Sequence, residues 1–294
     1  MFSIGIDLGG TNIKGVLIHQ TGEIVRLAYH PTHDGKGGDW KSAIAATVQD
    51  LRSTGAGPLA GIGLSAPGLP NATNECIAFM PGRLQGLENF HWGTYLGEKV
   101  LVLNDAHAAT MAEVKFGAAK SMRNVVLLTL GTGVGGGLVL EGKLYQGFFQ
   151  KAGSIGHLTV DAAAGERDIT NLPGSLEDAI GNCTIEKRSF GKFQSTHALL
   201  EAYRQGDHWA RYVWLNSVQK LAVALAGLIN VFSPDAVILG GGIAQADQDL
   251  FEPLNAFMEH YEWRPGGHVT PILKAQHGDL SGALGAASCV FDGL

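Results

Sequence analysis

A strand that runs into a glycine turn and returns along a second strand occurs twice in this chain, and that repeat limits the folds open to it. In the first copy Phe2 to Asp7 reads as a strand, Gly9-Gly10 as the turn and Ile13 to Ile18 as the returning strand, with Glu23 to Tyr29 as a third. In the second copy Val125 to Leu130 leads into Gly131 to Gly137 and then Leu138 to Leu140. The first copy opens a meander. The helical pattern Trp40 to Ser53, with Ile44, Val48 and Leu51 on one face, then feeds the apolar strand Ala60 to Leu64, which turns the sheet parallel. Val100 to Leu103 is a further strand ending at Asn104-Asp105, and Ala106 to Phe116 reads as the helix leaving it. Ala210 to Phe232 is a long helical pattern stopped by Ser233-Pro234, Ala236 to Leu239 is a short strand, and Leu280 to Phe291 is a closing helix rich in small residues. An internally duplicated α/β chain follows, and 294 residues with 45 % hydrophobic content suffice for two cores. The boundary is expected near Gly117.

The 42 glycines are roughly twice the average share and cluster at strand ends, where backbone must approach a ligand closely. A formal net charge of -6 disfavours broad electrostatic binding to nucleic acid or to an anionic membrane, so neither is expected as a partner. Cys76, Cys183 and Cys289 are odd in number and widely spaced, which indicates neither a disulfide framework nor a cysteine-rich metal site. Asp7 and the glycine pair arrive before an apolar signal core can form, and Leu221 to Phe232 is shorter than the roughly 20 residues that span a bilayer. A cytoplasmic chain acting on a small molecule is the expectation.

Three glycine-rich elements carry the chemistry. Asp7-Leu-Gly-Gly-Thr-Asn-Ile-Lys14 puts a carboxylate at a strand end, then Gly9, Gly10, Thr11 and Asn12 in a tight turn, then Lys14 on the next strand. Such a loop offers backbone N–H groups, a hydroxyl and an ammonium to phosphate oxygens, while Asp7 faces the accompanying Mg²⁺, directly or through water. Leu130-Gly-Thr-Gly-Val-Gly-Gly-Gly137 repeats the device, with Gly131, Thr132, Gly133 and Gly135. Pro234-Asp-Ala-Val-Ile-Leu-Gly-Gly-Gly-Ile243 supplies Gly240, Gly241 and Gly242 at a third strand end. Asp105 sits at the carboxyl end of a strand, where α/β sheets bind ligands, although a helix N-cap would explain the same residue without any chemistry.

Taken together these loops resemble the two phosphate loops and the adenosine loop of the sugar kinase and actin-like superfamily. Within it the chain resembles the ROK family (repressors, open reading frames, kinases) over essentially its whole length, through Asp7-Leu-Gly-Gly-Thr-Asn12, Ala66-Pro-Gly68, Asn104-Asp-Ala106, Leu130-Gly-Thr-Gly-Val-Gly-Gly136, Gly156-His157 and Leu239-Gly-Gly-Gly242. The resemblance implies a two-lobed actin-like, ribonuclease-H-like α/β fold with a cleft between the lobes. Residues 1–116 and a returning C-terminal helix, about 280–294, would form the smaller lobe, and 117–279 the larger. It implies an ATP-dependent kinase that phosphorylates a hexose or hexose derivative at O6 with Mg-ATP. Asp105 would be the general base, and Gly68, Arg83, Asn104, Ser154, His157 and Glu177 would contact the sugar, the other readings being a solvated surface arginine for Arg83 and a buried, hydrogen-bonded histidine for His157. A homodimer is implied as well.

Two departures stand out. The family's Glu-x-Gly-His is Ser154-Ile-Gly-His157 here, and the three-cysteine zinc motif that usually follows is missing, since Leu158 to Glu177 contains no cysteine. No zinc is therefore expected, because a lone imidazole cannot complete a closed tetrahedral site. Ser175-Leu-Glu177 still aligns with the family's Cys-Leu-Glu, so Glu177 would compensate in part for Ser154. Rival readings are a ROK repressor, a catalytically weak sugar-binding or sensing protein, a kinase for another small-molecule hydroxyl, and a kinase using polyphosphate. The repressor needs a DNA-binding helix-turn-helix ahead of the first phosphate loop, and that loop begins here at Asp7.

Overall fold

The computed structural model describes residues 1–32, 39–80, 82 and 84–293. Along the chain β1 (Phe2–Leu8), β2 (Asn12–His19) and β3 (Ile24–Pro31) form an antiparallel meander, and α1 (Asp39–Arg52) leads to β4 (Leu59–Ala66). The small hairpin β5 (Leu69–Pro70) and β6 (Ile77–Phe79) and the short α2 (Trp92–Leu96) precede β7 (Val100–Asn104) and α3 (Asp105–Phe116). The strand order is β3-β2-β1-β4-β7, with β4 parallel to both β1 and β7. The second half runs β8 (Val125–Leu130), β9 (Val134–Leu140), β10 (Lys143–Leu144), α4 (Leu176–Ile180), α5 (Ile185–Arg188), α6 (Thr196–Arg204), α7 (His208–Phe232), β11 (Ala236–Gly240), α8 (Gln248–Tyr261), β12 (Ile272–Lys274) and α9 (Ser281–Asp292). Its sheet has the order β10-β9-β8-β11-β12, with β11 parallel to β8 and β12. Both sheets thus read third-second-first-fourth-fifth in their own strand sequence.

Contacts divide the chain into two compact units: 1–121 with 137–152 and 276–294, and 122–136 with 153–275. In the first, the core gathers Ile4, Ile6 and Leu8 of β1 with Ile44, Val48 and Leu51 of α1 and Ile62 and Leu64 of β4. The other face of that sheet receives α9. A Cβ at Gly5 would lie 1.9 Å from Ala283 O, and one at Gly63 2.0 Å from Ala286 O, so only glycine lets the helix backbone lie this close to β1 and β4. Ser3 completes the seam by donating its hydroxyl to Ala287 O at 2.9 Å. Small residues in α9 are therefore packing surface.

In the second unit α7 packs on α4, α6 and α8. Asp207 caps its start by accepting from Ala210 N at 2.8 Å, and Ser233 ends it in the left-handed conformation just before Pro234. The helix is longer than the apolar stretch at 221–232 suggests. By length and composition it could cross a membrane, with mean hydropathy 1.4 over its most apolar 18 residues, yet half of that stretch is buried within the fold. Val213, Trp214, Val218, Leu221 and Leu225 make up much of the buried stripe.

Two boundaries differ from the sequence expectation, and both bear on function. β9 begins at Val134, inside what reads as a glycine loop, because a backbone without side chains can still pair in a sheet. The cap of α3 is Asn104 and not Asp105: the Asn104 Oδ1 accepts from Ala106 N at 2.9 Å and from His107 N at 3.3 Å, and Asp105 is the first helical residue.

Candidate functional site

Register places the candidate residues of the first unit side by side. Asp7 near the end of β1 pairs with Ser65 of β4 on one side and with Lys14 of β2 on the other, and Ala66 of β4 pairs with Asn104 of β7. The carboxyl ends of three neighbouring parallel strands therefore present Asp7, the 65–68 turn and Asn104-Asp105 along one edge, the usual ligand edge of an α/β sheet. Ser65, which sequence reasoning gave no role, donates its hydroxyl to Asp7 Oδ1 at 2.7 Å. Burial pushes the partly buried Asp7 carboxyl up to about 6, against the lowering Ser65 bond, while the charges of Asp105 and Asp279 add to the rise and Lys14 opposes it. Asp105 is close enough for its charge to be felt at Asp7.

Asp105 itself is solvent-exposed at its surface yet surrounded by protein, and that surrounding raises its carboxyl above the ordinary value, against hydrogen bonds from the Ala106 N–H and the Asn104 side chain. Access to water offsets part of the rise. Asn104 fixes the position of its neighbour: besides capping α3, its Nδ2 donates to Gly68 O at 3.0 Å, so one amide ties the helix start to the Pro67-Gly68 turn. Gly9 N donates to Asn12 O, and Thr32 Oγ1 donates to Gly9 O at 2.7 Å, closing the first glycine turn and leaving Gly10, Thr11 and Asn12 at the surface. Lys14 Nζ donates to Asp279 O at 2.9 Å and pairs with its carboxylate at 3.5 Å. Arg83 lies outside the described residues.

In the second unit the segment 131–134 is held on several sides. Asn182 N donates to Gly131 O and Cys183 N to Thr132 O, at 2.9 and 2.8 Å, while Val134 N donates to Glu177 Oε2 at 2.9 Å. A Cβ at Gly133 would come within 2.2 Å of that carboxylate, which is the local reason for glycine there. Glu177 is thus engaged with the loop, so any sugar contact falls to its other oxygen. The turn Ile155–His157 packs on the same strand start, with Gly156 against Val134 O. Ser154 leads into that turn without capping it.

A cavity of about 640 Å³ opens beside this loop, lined by Gly131 and Thr132, by Gly242, Ile243, Gln245 and Ala246 after β11, and by Asn182, Thr196, His197, Leu200 and Arg204. Two separate glycine elements thus share one pocket, with Gly240 and Gly241 on the strand end and turn leading into it. Its size suits a nucleotide-scale ligand. The buried Thr196 Oγ1 has no partner, a polar group of the kind a bound ligand satisfies. Residues 182–204 carry no motif, and only the helical spacing around Leu199 and Leu200 hints at them. A second cavity of about 290 Å³ lies near Asp178 and Arg188, but its Lys187 is paired with Glu166 and Asp178 and its Lys220 with Asp161. Those charges are satisfied by the protein itself.

Among the described residues no group of three or more His, Cys, Asp or Glu side chains is arranged to hold a metal ion. Zinc does not fit the donors near His157, where the one facing group is a carboxylate, and Cys76, Cys183 and Cys289 are free thiols. Magnesium makes a smaller demand, since it takes one or two carboxylates and completes its shell with phosphates and water, and Asp7 suits that role.

A model of the ROK family matches residues 3–292. The glucokinase of Thermotoga maritima is 31 % identical over 98 % of this chain and 96 % of its own length. Among solved structures, the ROK hexokinase of Thermus thermophilus superposes with a TM-score of 0.88 at 29 % identity, covering 99 % of this chain and 98 % of that one. A ROK family glucokinase from Streptomyces griseus, solved with glucose and AMPPNP, gives 0.79 at 26 % identity with both chains fully covered.

Proposed function

The chain belongs to the ROK family, with its two-lobed actin-like α/β fold, and is an ATP-dependent sugar kinase within it; we propose that it phosphorylates a hexose or hexose derivative at O6, with Asp105 as general base. What supports this most is the strand register that sets Asp105 one strand beyond the 65–68 turn and within electrostatic reach of Asp7. A hydroxyl attacks phosphorus well only when it is positioned and can lose its proton, and the rest of phosphoryl transfer is alignment and charge neutralisation. Asp105 accepts the O6 proton. Asn104 holds Asp105 at the first turn of α3 and keeps the Gly68 turn against the ring.

The glycine turns at 9–12 and 131–135, with Thr11 and Thr132, each offer backbone N–H groups and a hydroxyl to phosphate oxygens. Lys14 leaves Asp279 to join them. Asp7 would hold Mg²⁺, which supplies charge neutralisation at the phosphates. The purine lies in the 640 Å³ cavity against Gly242, Leu200 and Ile243, and this partly apolar wall favours ATP over polyphosphate, which has no base to bury. Ser154, His157 and Glu177 contact the sugar, the shorter Ser154 leaving more room than a glutamate. A cytoplasmic homodimer is the form in which we expect the protein to act.

A coupled assay over hexoses and N-acetylhexosamines, with Mg-ATP and with Mg-polyphosphate, tests the reading. We expect turnover of at least one sugar with ATP and little with polyphosphate. Saturable sugar binding with no phosphoryl transfer from either donor would replace the kinase reading with a sugar sensor.

A further inference from the structure

With no cysteine between Leu158 and Glu177, some other group must order the segment after His157, and Asp168 does so. Its side chain is 1 % exposed. Oδ1 accepts from Thr170 N at 2.8 Å, Thr170 Oγ1 at 2.7 Å and Leu172 N at 2.9 Å, while the Asp168 N–H donates to Leu172 O at 2.9 Å. Burial pushes its carboxyl up, but the hydrogen bonds from Leu172 and Thr170, with the Ser175 side chain nearby, outweigh that and hold it at about 2. It is an anion at any working pH. One carboxylate oxygen therefore takes all three of these side-chain-directed bonds.

The other oxygen carries nothing. Asp168 Oδ2 is buried without a hydrogen-bond partner, and so is His157 Nδ1. The two atoms face each other at 4.0 Å. Each orphan left unpaired is destabilising, and a buried ionised oxygen more so. A donor and an acceptor in this relation lie about 1 Å from a hydrogen bond that removes both penalties. The imidazole is otherwise partly exposed, 38 % of its side chain meeting solvent, so its second nitrogen is the one a ligand can reach.

We propose that Asp168 is a positioning residue for the kinase reaction: its Oδ2 accepts from His157 Nδ1–H and so fixes the imidazole in the tautomer whose Nε2 lone pair accepts a sugar hydroxyl. In a neutral histidine one nitrogen donates and the other accepts, so the partner of Nδ1 decides what Nε2 offers. A carboxylate partner makes Nε2 an acceptor for the sugar. In a chain without zinc ligands, Asp168 takes over both the ordering of the loop and the orientation of the histidine. This inference rests on the reading that His157 contacts the sugar.

The test uses the full chain labelled with ¹⁵N-histidine, the His157 signal being identified by its loss in His157→Ala. Long-range ¹H–¹⁵N correlation should find the proton on Nδ1 in the parent protein. Asp168→Asn keeps the Oδ1 acceptor but replaces Oδ2 with an NH2 group, which donates and cannot accept from Nδ1–H, so the Nε2–H tautomer should gain population. The KM for the best sugar should rise roughly 10-fold, as for loss of an outer partner of a ligating histidine, with kcat changed by less than about threefold. His157→Ala should raise KM similarly, and the double variant should be no worse than His157→Ala alone. A parent protein with its proton on Nε2 overturns the inference whether or not the variant folds. An Asp168→Asn protein with unchanged tautomer and KM overturns it too. A tautomer that shifts while sugar KM stays put in both single variants would instead remove His157 from the sugar site.

Discussion

Asp7 shows what a partly buried carboxylate at a strand end costs the fold that carries it. A carboxyl whose pKa is raised by folding stabilises the protein only while protonated: that contribution is complete below about 3.8, the ordinary value, and is lost as pH rises through about 6. At pH 7.5 the ligand-free protein therefore holds a charge that folding disfavours. The shift from 3.8 to about 6 corresponds to at most about 3 kcal/mol, and partial exposure reduces it. Asp7→Asn should make the ligand-free protein more stable by about 1–2 kcal/mol at pH 7.5 and by nothing measurable at pH 4, while lowering activity with Mg-ATP. Urea unfolding of both proteins at the two pH values checks this, and a variant less stable than the parent at pH 7.5 would show that Asp7 is held by compensating bonds. The residue was conspicuous in sequence because a carboxylate ending an apolar strand beside two glycines has no packing purpose. Its Ser65 partner was not, since that contact depends on parallel register between strands 58 residues apart.

At the scale of elements, one buried acid ties α3 to the segment that leads into α9. Glu113 is fully buried and its Oε1 accepts from Gln276 N and His277 N, both at 2.9 Å, while Oε2 accepts from Ala118 N at 2.9 Å. Three backbone donors in two loops lose their acceptor together if it is removed. Glu113→Ala should cost roughly 3 kcal/mol or more, seen as a lower urea midpoint, whereas Glu113→Gln keeps an acceptor and should cost less. A loss under about 0.5 kcal/mol for the alanine variant would mean that water replaces the carboxylate. Sequence reading placed the elements it named, β9 apart, within about two residues, because their apolar periodicity and their Gly, Pro and Ser boundaries are local signals, but it did not name β5, β6, β10, β12, α2, α4, α5, α6 or α8. It misplaced the cap of α3 by one residue, since Asn104 and Asp105 are both good caps and the choice follows from where pairing of β7 with β4 stops. The start of β9 at Val134 was hidden for a related reason: glycines there pair in the sheet and also let Glu177 approach.

For the whole molecule, the parts of the candidate site legible in advance were those marked by a run without side chains or a lone charge at a strand end: the three glycine loops and Asp105. The wall of the nucleotide-sized cavity was illegible, because Asn182, Thr196, His197 and Arg204 reach it through the path of α6 and its preceding turns and carry no pattern of their own. The central claim is that Asp105 takes the proton from the sugar. Asp105→Asn preserves size, and Asn104 still caps α3, so folding and catalysis separate cleanly. The direct measurement is single-turnover and steady-state phosphorylation of the best sugar by Asp105→Asn, alongside its melting temperature and its sugar affinity by calorimetry. We predict a near-native melting temperature, retained sugar binding and a kcat lower by roughly 10²-fold or more. A variant that folds, binds sugar and phosphorylates it within a few-fold of the parent rate would contradict the account.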